Sequence, residues 1–242
     1  VRNRLKNLIK AYASSHSLDT RFIWEFPTHD LPSSITCTLP NSNAFRKNIA
    51  LKGCLKTHLK KPEYCIEYWI IQKWGGIQGF KKNDKNDQRI AELYKRLEKG
   101  VLTKDLFGCI SSLSKIASFL NPKHYAIYDS RAIFSLNWLL LKAGARNNFF
   151  PVPAGRNNEI AKYDIETILR LKCGDRRDLL LDHKTAYFEY CELLKEISAE
   201  VWDDVDRQTM PFYLEMLLFI LGPQEIVADI KSCANFEILQ GP

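Results

Sequence analysis

The sequence predicts an all-α fold, or nearly so. Apolar residues recur at three- and four-residue spacing along most of the chain, and alternating strand-like patterns are scarce. Proline and glycine punctuate the ends of the periodic segments. Any sheet is expected to be small and near residues 20–40. At 242 residues the chain is expected to form one compact helical unit. Residues 1–104 would make a basic N-terminal lobe, and residues 105–242 a lobe with a hairpin and the C-terminal helices.

In chain order, Arg2 to Ser15 reads as a basic amphipathic helix with Leu5, Leu8, Ile9 and Tyr12 on one face. Residues 20–42, with Pro27, Pro32 and Pro40, read as an irregular or partly extended connector. A helix over roughly 44–60 follows, with Asn41, Ser42 and Asn43 as candidate caps. Its Arg46, Lys47, Lys52, Lys56, Lys60 and Lys61 suit phosphate contacts. Pro62 starts the next helix, Glu63 to Trp74, which Gly75 and Gly76 end. The loop 77–86 places Phe80 among Lys81, Lys82 and Lys85, a mixture that fits nucleic acid and a solvated loop equally. Gln88 to Lys99 is a helix closed by Gly100.

The stretch Leu106–Leu140 carries the candidate chemistry. It reads as a turn, a helix near 110–120, a stop at Pro122, an extended return and a second helix. Ile110, Leu113, Ile116, Ala117 and Leu120 share one face, and Lys115 projects from the opposite side near Ser111 and Ser118. From Lys115 to the helix end is about 8 Å of rise. The return from Lys123 to Tyr128 spans up to about 20 Å if extended. Asp129 can therefore come back beside Lys115. Each residue also has a plain reading, Lys115 as a solvated charge and Asp129 as an N-cap.

Beyond it, the helix to Lys142 is apolar nearly all round and is expected to be a buried spine. Arg146, Asn147, Asn148, Phe149 and Phe150, in the loop from Gly144 to Asn158, can line a base pocket or simply form a loop. Helices are expected at about 163–173, 181–202, 211–221 and 224–234. Glu215 is the only charge in the apolar Phe212–Leu221 helix and wants a buried partner, with an Arg or Lys expected.

Net charge is +7 and uneven. Residues 1–104 hold 20 Lys/Arg against 9 Asp/Glu, whereas residues 105–242 hold 15 against 19. That asymmetry suits a polyanion-binding face. Seven scattered cysteines without a Cys-x-x-Cys pair are expected to be reduced thiols of a cytoplasmic (nucleoid-associated) or nuclear protein, not a secreted one. His124 and His183 have no partners at metal spacing. The run Phe212–Leu221 is too short to span a bilayer, so no membrane partner is expected.

The order turn, Ser114-Lys115-Ile116-Ala117, helix, Pro122, extended return, Ile127-Tyr128-Asp129-Ser130-Arg131, helix resembles the helix-hairpin-helix DNA glycosylase superfamily. The likeness is to its 8-oxoguanine-glycosylase-like branch and covers about 35 residues well. By it, Lys115 takes the place of the nucleophilic lysine and Asp129 that of the essential aspartate. Three features depart from the pattern. Ser111 and Leu113 stand where hairpin glycines are usual, the nearest glycine being Gly108. The Lys115-to-Asp129 interval of 14 residues is short for the family. No four-cysteine iron–sulfur loop is present.

The resemblance implies a two-lobed helical glycosylase that acts as a monomer on double-stranded DNA, without cofactor or metal. It would flip a damaged or modified base out of the stack. Lys115, as the free amine, would attack the sugar and form a Schiff base that can go on to strand cleavage. An ordinary lysine amine, at about 10.4, is mostly protonated at neutral pH, so the site has to depress it. Asp129 would stabilise the developing sugar cation. DNA contacts would come from Ser111, Ser112, Ser114 and Arg131, from Arg46, Lys47, Lys81 and Lys82, and from Asn41 or Asn43 filling the gap left by the base. The alternative is a non-catalytic DNA-binding module on the same scaffold, in a repair or defence system.

Overall fold

Helix Ser130–Lys142 is buried along most of its length and packs against Arg2–Ser15, Ile165–Cys173, Phe212–Leu221 and the turn Gly222–Ile226. The computed structural model describes residues 1–27, 31, 35–155 and 157–233. Its α-helices in order are α1 (Arg2–Ser15), α2 (Leu18–Arg21), α3 (Ala44–Leu55), α4 (Cys65–Trp69), α5 (Asp84–Lys99), α6 (Lys104–Gly108) and α7 (Ile110–Leu120). They continue with α8 (Ser130–Lys142), α9 (Asn158–Ala161), α10 (Ile165–Cys173), α11 (Ala186–Val201), α12 (Val205–Thr209), α13 (Phe212–Leu221) and α14 (Val227–Cys233). Wide π turns at Ile70–Trp74 and Gly222–Ile226 prolong α4 and α13. The chain is mostly helical, and no strand occurs among the described residues. An isolated bridge joins Phe149 and Leu180. The small sheet expected near 20–40 is absent from the residues described there. Residues 28–30 and 32–34, with Pro32, lie outside them, as does the last residue of the expected 224–234 helix.

Local chemistry sets the helix bounds. The Asn43 side chain accepts from Arg46 N and starts α3. Asn83 accepts from Asn86 N, so α5 begins at Asp84, earlier than the apolar pattern at Gln88 suggests. Gly100, at φ 68°, closes α5 in the left-handed region that favours glycine. Helix α3 stops at Leu55, and the expected 44–60 helix continues only as a 3-10 turn, Lys56–His58.

Packing centres on α8 against α13. The Ser135 hydroxyl lies 2.7 Å from Leu218 O, and a Cβ on Gly222 would meet Arg131 O and Ser135 Oγ at 3.1 Å. The basic helix α1 docks on α11 and α8, with Lys6 paired to Glu200 at 2.6 Å. The larger apolar core runs from Leu5 to Ile230. A smaller one gathers Leu51, Leu55, Trp69, Ile70, Trp74, Phe119 and Ile127. Helix α7 serves both, giving Leu113 and Ile116 to the first and Phe119 to the second.

Cys37 and Cys54 form a disulfide, with Cα atoms 5.9 Å apart. This corrects the expectation that all seven thiols are reduced. Spacing of 17 residues carries no signal for a pair, whereas the approach of the 35–40 segment to α3 brings the two within the usual Cα range. No helix of the described residues is long and apolar enough to cross a membrane.

Candidate active site

Helices α6 and α7 are joined through Cys109 alone, whose N–H returns to Leu106 O at 3.0 Å. Neither Gly108 nor Cys109 takes the positive φ that favours glycine. Five residues into α7, Lys115 is 6% exposed, and its amine donates to Ser111 O at 2.6 Å. The side of α7 expected to face outward is thus a buried wall, and Ser118 on it is fully buried. Asp129 caps α8, its Oδ1 accepting from Arg131 N at 2.8 Å. The cap reading of Asp129 is borne out, and capping fixes the direction of its carboxylate.

Lys115 and Asp129 line one recess with a cavity volume of about 60 Å³. Its other polar wall is Glu215, from α13, and its apolar walls are Phe22, Trp24, Trp74, Ile127, Met216 and Phe219. The recess adjoins a groove of about 810 Å³ that shares Trp24, Gly75, Lys115, Asp129 and Phe219. A concave, mostly apolar pocket with a few convergent polar groups is the form of a small-ligand site.

The walls are locked by one amide. Asn48 donates to Ala44 O and Trp24 O, each at 2.8 Å, and accepts from Trp74 Nε1 at 2.7 Å. Trp24 Nε1 in turn donates to Trp74 O at 2.9 Å. The two indoles are therefore fixed relative to each other and to α3.

Two buried charges stand at this site, Glu215, whose burial the sequence leads one to expect, and Lys52, whose burial it does not. Lys52, 2% exposed, donates to Ser118 Oγ at 2.7 Å. Its amine lies 4.3 Å from the Phe119 ring centroid and 5.3 Å from that of Phe212. Burial pushes it below the ordinary lysine range, the Glu215 charge opposes that shift, and the Lys115 charge adds to it. Glu215 is 4% exposed. Burial pushes its carboxyl above the usual range, against Lys52, while Asp129 adds to the rise and Lys115 opposes it. The Glu215 N–H donates to Pro211 O at 3.1 Å, and its carboxylate accepts no hydrogen bond from a described residue. The lone charge in an apolar helix was the signal for it. For Lys52 the signal was its spacing with Phe45, Asn48 and Leu55, the buried face of α3.

Several expected contact residues lie elsewhere. Lys52 is core and cannot reach phosphate. Ser114 is fully buried, and its hydroxyl accepts from Tyr128 N at 2.9 Å, which removes it from DNA contact. Ser111 and Ser112 line the groove, the Ser111 hydroxyl being buried without a hydrogen-bond partner among the described residues. Arg131 lines the groove too, its guanidinium 4.6 Å from the Phe219 ring. Asn43 is a cap and Arg46 pairs with Asp19 at 2.9 Å. Neither these two nor Asn41, Lys47, Lys81 and Lys82 line the recess or the groove; Lys82 donates to Glu63 O. Arg146, Asn147, Asn148 and Phe150 line a different depression, beside Val1 and Arg2, so they build no wall of the Lys115 recess. Phe149 is fully buried.

Among the described residues no cluster of three or more His, Cys, Asp or Glu is placed to hold a metal ion. The chain matches no protein-family model, no curated protein and no solved structure.

Proposed function

We propose that the protein is a DNA glycosylase, of the helix-hairpin-helix kind that the Lys115–Asp129 stretch resembles, acting on a damaged or modified base. The observation that carries this reading is the shared recess. An amine and a carboxylate 14 residues apart in sequence face one aromatic-walled hollow next to a long groove. A flipped nucleotide needs such a hollow, because its glycosidic bond is out of reach within the stack. Indole and phenyl walls offer the stacking that an extruded base loses.

The chemistry follows from the two groups. The Lys115 nitrogen lone pair forms a bond to C1′ while the base–sugar bond breaks, its electron pair leaving with the base. Asp129, held in place by its bond to Arg131 N, sets a negative charge where the sugar turns positive. An amine proton passes to the departing base, the nitrogen lone pair then opens the C1′–O4′ bond as O4′ takes a proton from water, and the protonated Schiff base so formed is either hydrolysed or passes to strand cleavage. The excess of Lys/Arg in residues 1–104 supports docking on a polyanion.

The test is borohydride trapping on duplex oligonucleotides, each with one modified base, beside a base-release assay. A covalent adduct with the wild type is expected, and none with Lys115→Gln, which should still bind duplex in a salt-dependent way. Equal base release by wild type and Lys115→Gln would end this reading, and binding without release by either would favour a DNA-binding module.

A further inference from the structure

We propose that the base drawn into the recess is a pyrimidine, seated by its hydrogen-bonding edge on the Glu215 carboxyl, and that a two-ring purine is shut out. This names the substrate class of the same site and rests on the glycosylase reading of Lys115 and Asp129. Size is the first ground. The recess has a cavity volume of about 60 Å³, whereas an apolar cavity that takes up benzene is about 150 Å³. It can enclose the inner edge of one ring, with the outer atoms and the sugar standing in the adjoining groove. A fused second ring has no room beside the first. The walls are also held shut by one another. The Trp24 ring lies 6.3 Å from that of Trp74 and 5.8 Å from that of Phe219, and Phe219 lies 6.2 Å from Phe22. Trp74 packs edge-on against Phe119 at 4.9 Å, and Asn48 accepts its indole N–H. The stem of Lys115 fills the space over Gly75. Widening the recess for a purine would break several of these contacts at once.

Glu215 is the second ground. It stands one turn before Phe219 on α13, so a carboxyl and an aromatic ring reach the recess from one helix face. Beside Lys115 and Asp129 it is the one other ionisable side chain among the described walls. It is 4% exposed, and its carboxyl accepts no hydrogen bond from a described residue. A buried carboxyl in that state is costly until a ligand pairs with it. Burial raises it above the usual carboxylate range, which favours the protonated acid. That form sets a donor and an acceptor side by side. It complements the N3–H and O4 of a uracil-type ring, or the N3 and amino group of a cytosine-type ring, the edge by which a flipped base is read. Purines carry such an edge as well, so size sets the class of base and Glu215 sets its seating.

The experiment compares base release from duplexes of one sequence carrying uracil, dihydrouracil or 5-hydroxyuracil with release from duplexes carrying 8-oxoguanine or hypoxanthine. Cyanoborohydride trapping at an abasic site in the same duplex needs the amine but no base, and each variant's release is divided by its own trapping. The wild type should release at least one of the pyrimidines about tenfold faster than either purine. Phe219→Ala opens the rim toward the groove and should cut that preference about tenfold. Glu215→Gln keeps a donor and an acceptor in place and should keep most of the release. Glu215→Leu should lose about a hundredfold, because the edge of the base is left unpaired. A purine released as fast as every pyrimidine would overturn the proposal, and so would abasic trapping without release of any pyrimidine. Equal ratios for Glu215→Gln and Glu215→Leu would overturn the seating on Glu215. Should Glu215→Leu fail to fold by circular dichroism, the wild-type preference and Phe219→Ala decide. Absence of abasic trapping by the wild type would instead strike at the Schiff-base chemistry of Lys115.

Discussion

The aliphatic stem of Lys115 lies across Gly75, where an added Cβ would stand 2.6 Å from both Cδ and Cε of the lysine. The same Cβ would also meet Ile71 O at 2.8 Å. Gly75 has ordinary helical φ, so the constraint is the lack of a side chain and not backbone freedom. Gly75→Ala should therefore push Lys115 off its position. Overpacking of this kind costs about 1–3 kcal/mol. The expected result is a lower urea midpoint and at least about tenfold weaker trapping, since small misplacements of a reacting group are expensive. Full trapping by Gly75→Ala would show that the lysine does not need this path.

What could be read in the sequence follows the range of each signal. The helices were legible because burial repeats every three or four residues, and caps such as Asn43 act within one turn. Lys115 and Asp129 were legible as a pair through the segment that links them. Glu215 stood out as a charge among apolar neighbours, but not the recess it faces. Lys52 was misplaced because the charges around it suggested a wet surface, although Phe45, Asn48 and Leu55 mark it as inward. Trp24 and Trp74 meet through the bond from Trp24 Nε1 to Trp74 O and through the side chain of Asn48, contacts between distant segments that no local pattern records. The Cys37–Cys54 bond is hidden for the same reason.

Ser114 tests one of these corrections. Its hydroxyl takes the N–H of Tyr128 inside the core. Ser114→Ala should leave that N–H unpaired, at about 1–3 kcal/mol in a denaturation experiment. Affinity for duplex DNA should be unchanged at each salt concentration. A DNA-binding defect in a variant of normal stability would return Ser114 to the interface.

The disulfide gives a second stability test. It closes a loop between residue 37 and α3, and cross-links of this loop length contribute about 3 kcal/mol. Cys54→Ser, or reductant added to the wild type, should lower the denaturation midpoint to the same value. Thiol labelling of the unreduced, unfolded chain should find five free cysteines, those at 65, 109, 173, 191 and 233. Seven labelled thiols would rule the bond out.

Asp129 caps α8, and under the glycosylase proposal it also supplies the charge that faces the sugar cation, two roles that substitutions can separate. Asparagine caps a helix about as well as aspartate, whereas alanine does not, at a cost of about 1 kcal/mol. Asp129→Asn should keep the wild-type melting temperature yet lose base release by about a hundredfold, the charge being what the sugar cation needs. Asp129→Ala should lose both. If Asp129→Asn releases base normally, the residue is a cap and nothing more.

The Lys52–Glu215 pair makes stability depend on pH in a direction that can be worked out. Glu215 is raised on folding, so the folded state keeps a proton that the unfolded chain gives up near 4.5. Its contribution is complete below that value and is lost as pH rises through the folded-state titration. Lys52 is lowered from 10.5, so its contribution is complete above that value and is lost as pH falls through its own folded-state titration. The pair therefore makes the fold weakest between the two, with branches rising toward acid and toward alkali. Glu215→Gln removes the acid branch and leaves Lys52 without its countercharge, which carries the alkaline branch to lower pH. Urea midpoints across the pH range should show the wild type losing stability from about pH 5 toward neutrality more steeply than Glu215→Gln. Parallel curves for the two proteins over that interval would mean that Glu215 titrates as it does in water, and that the recess does not bury it.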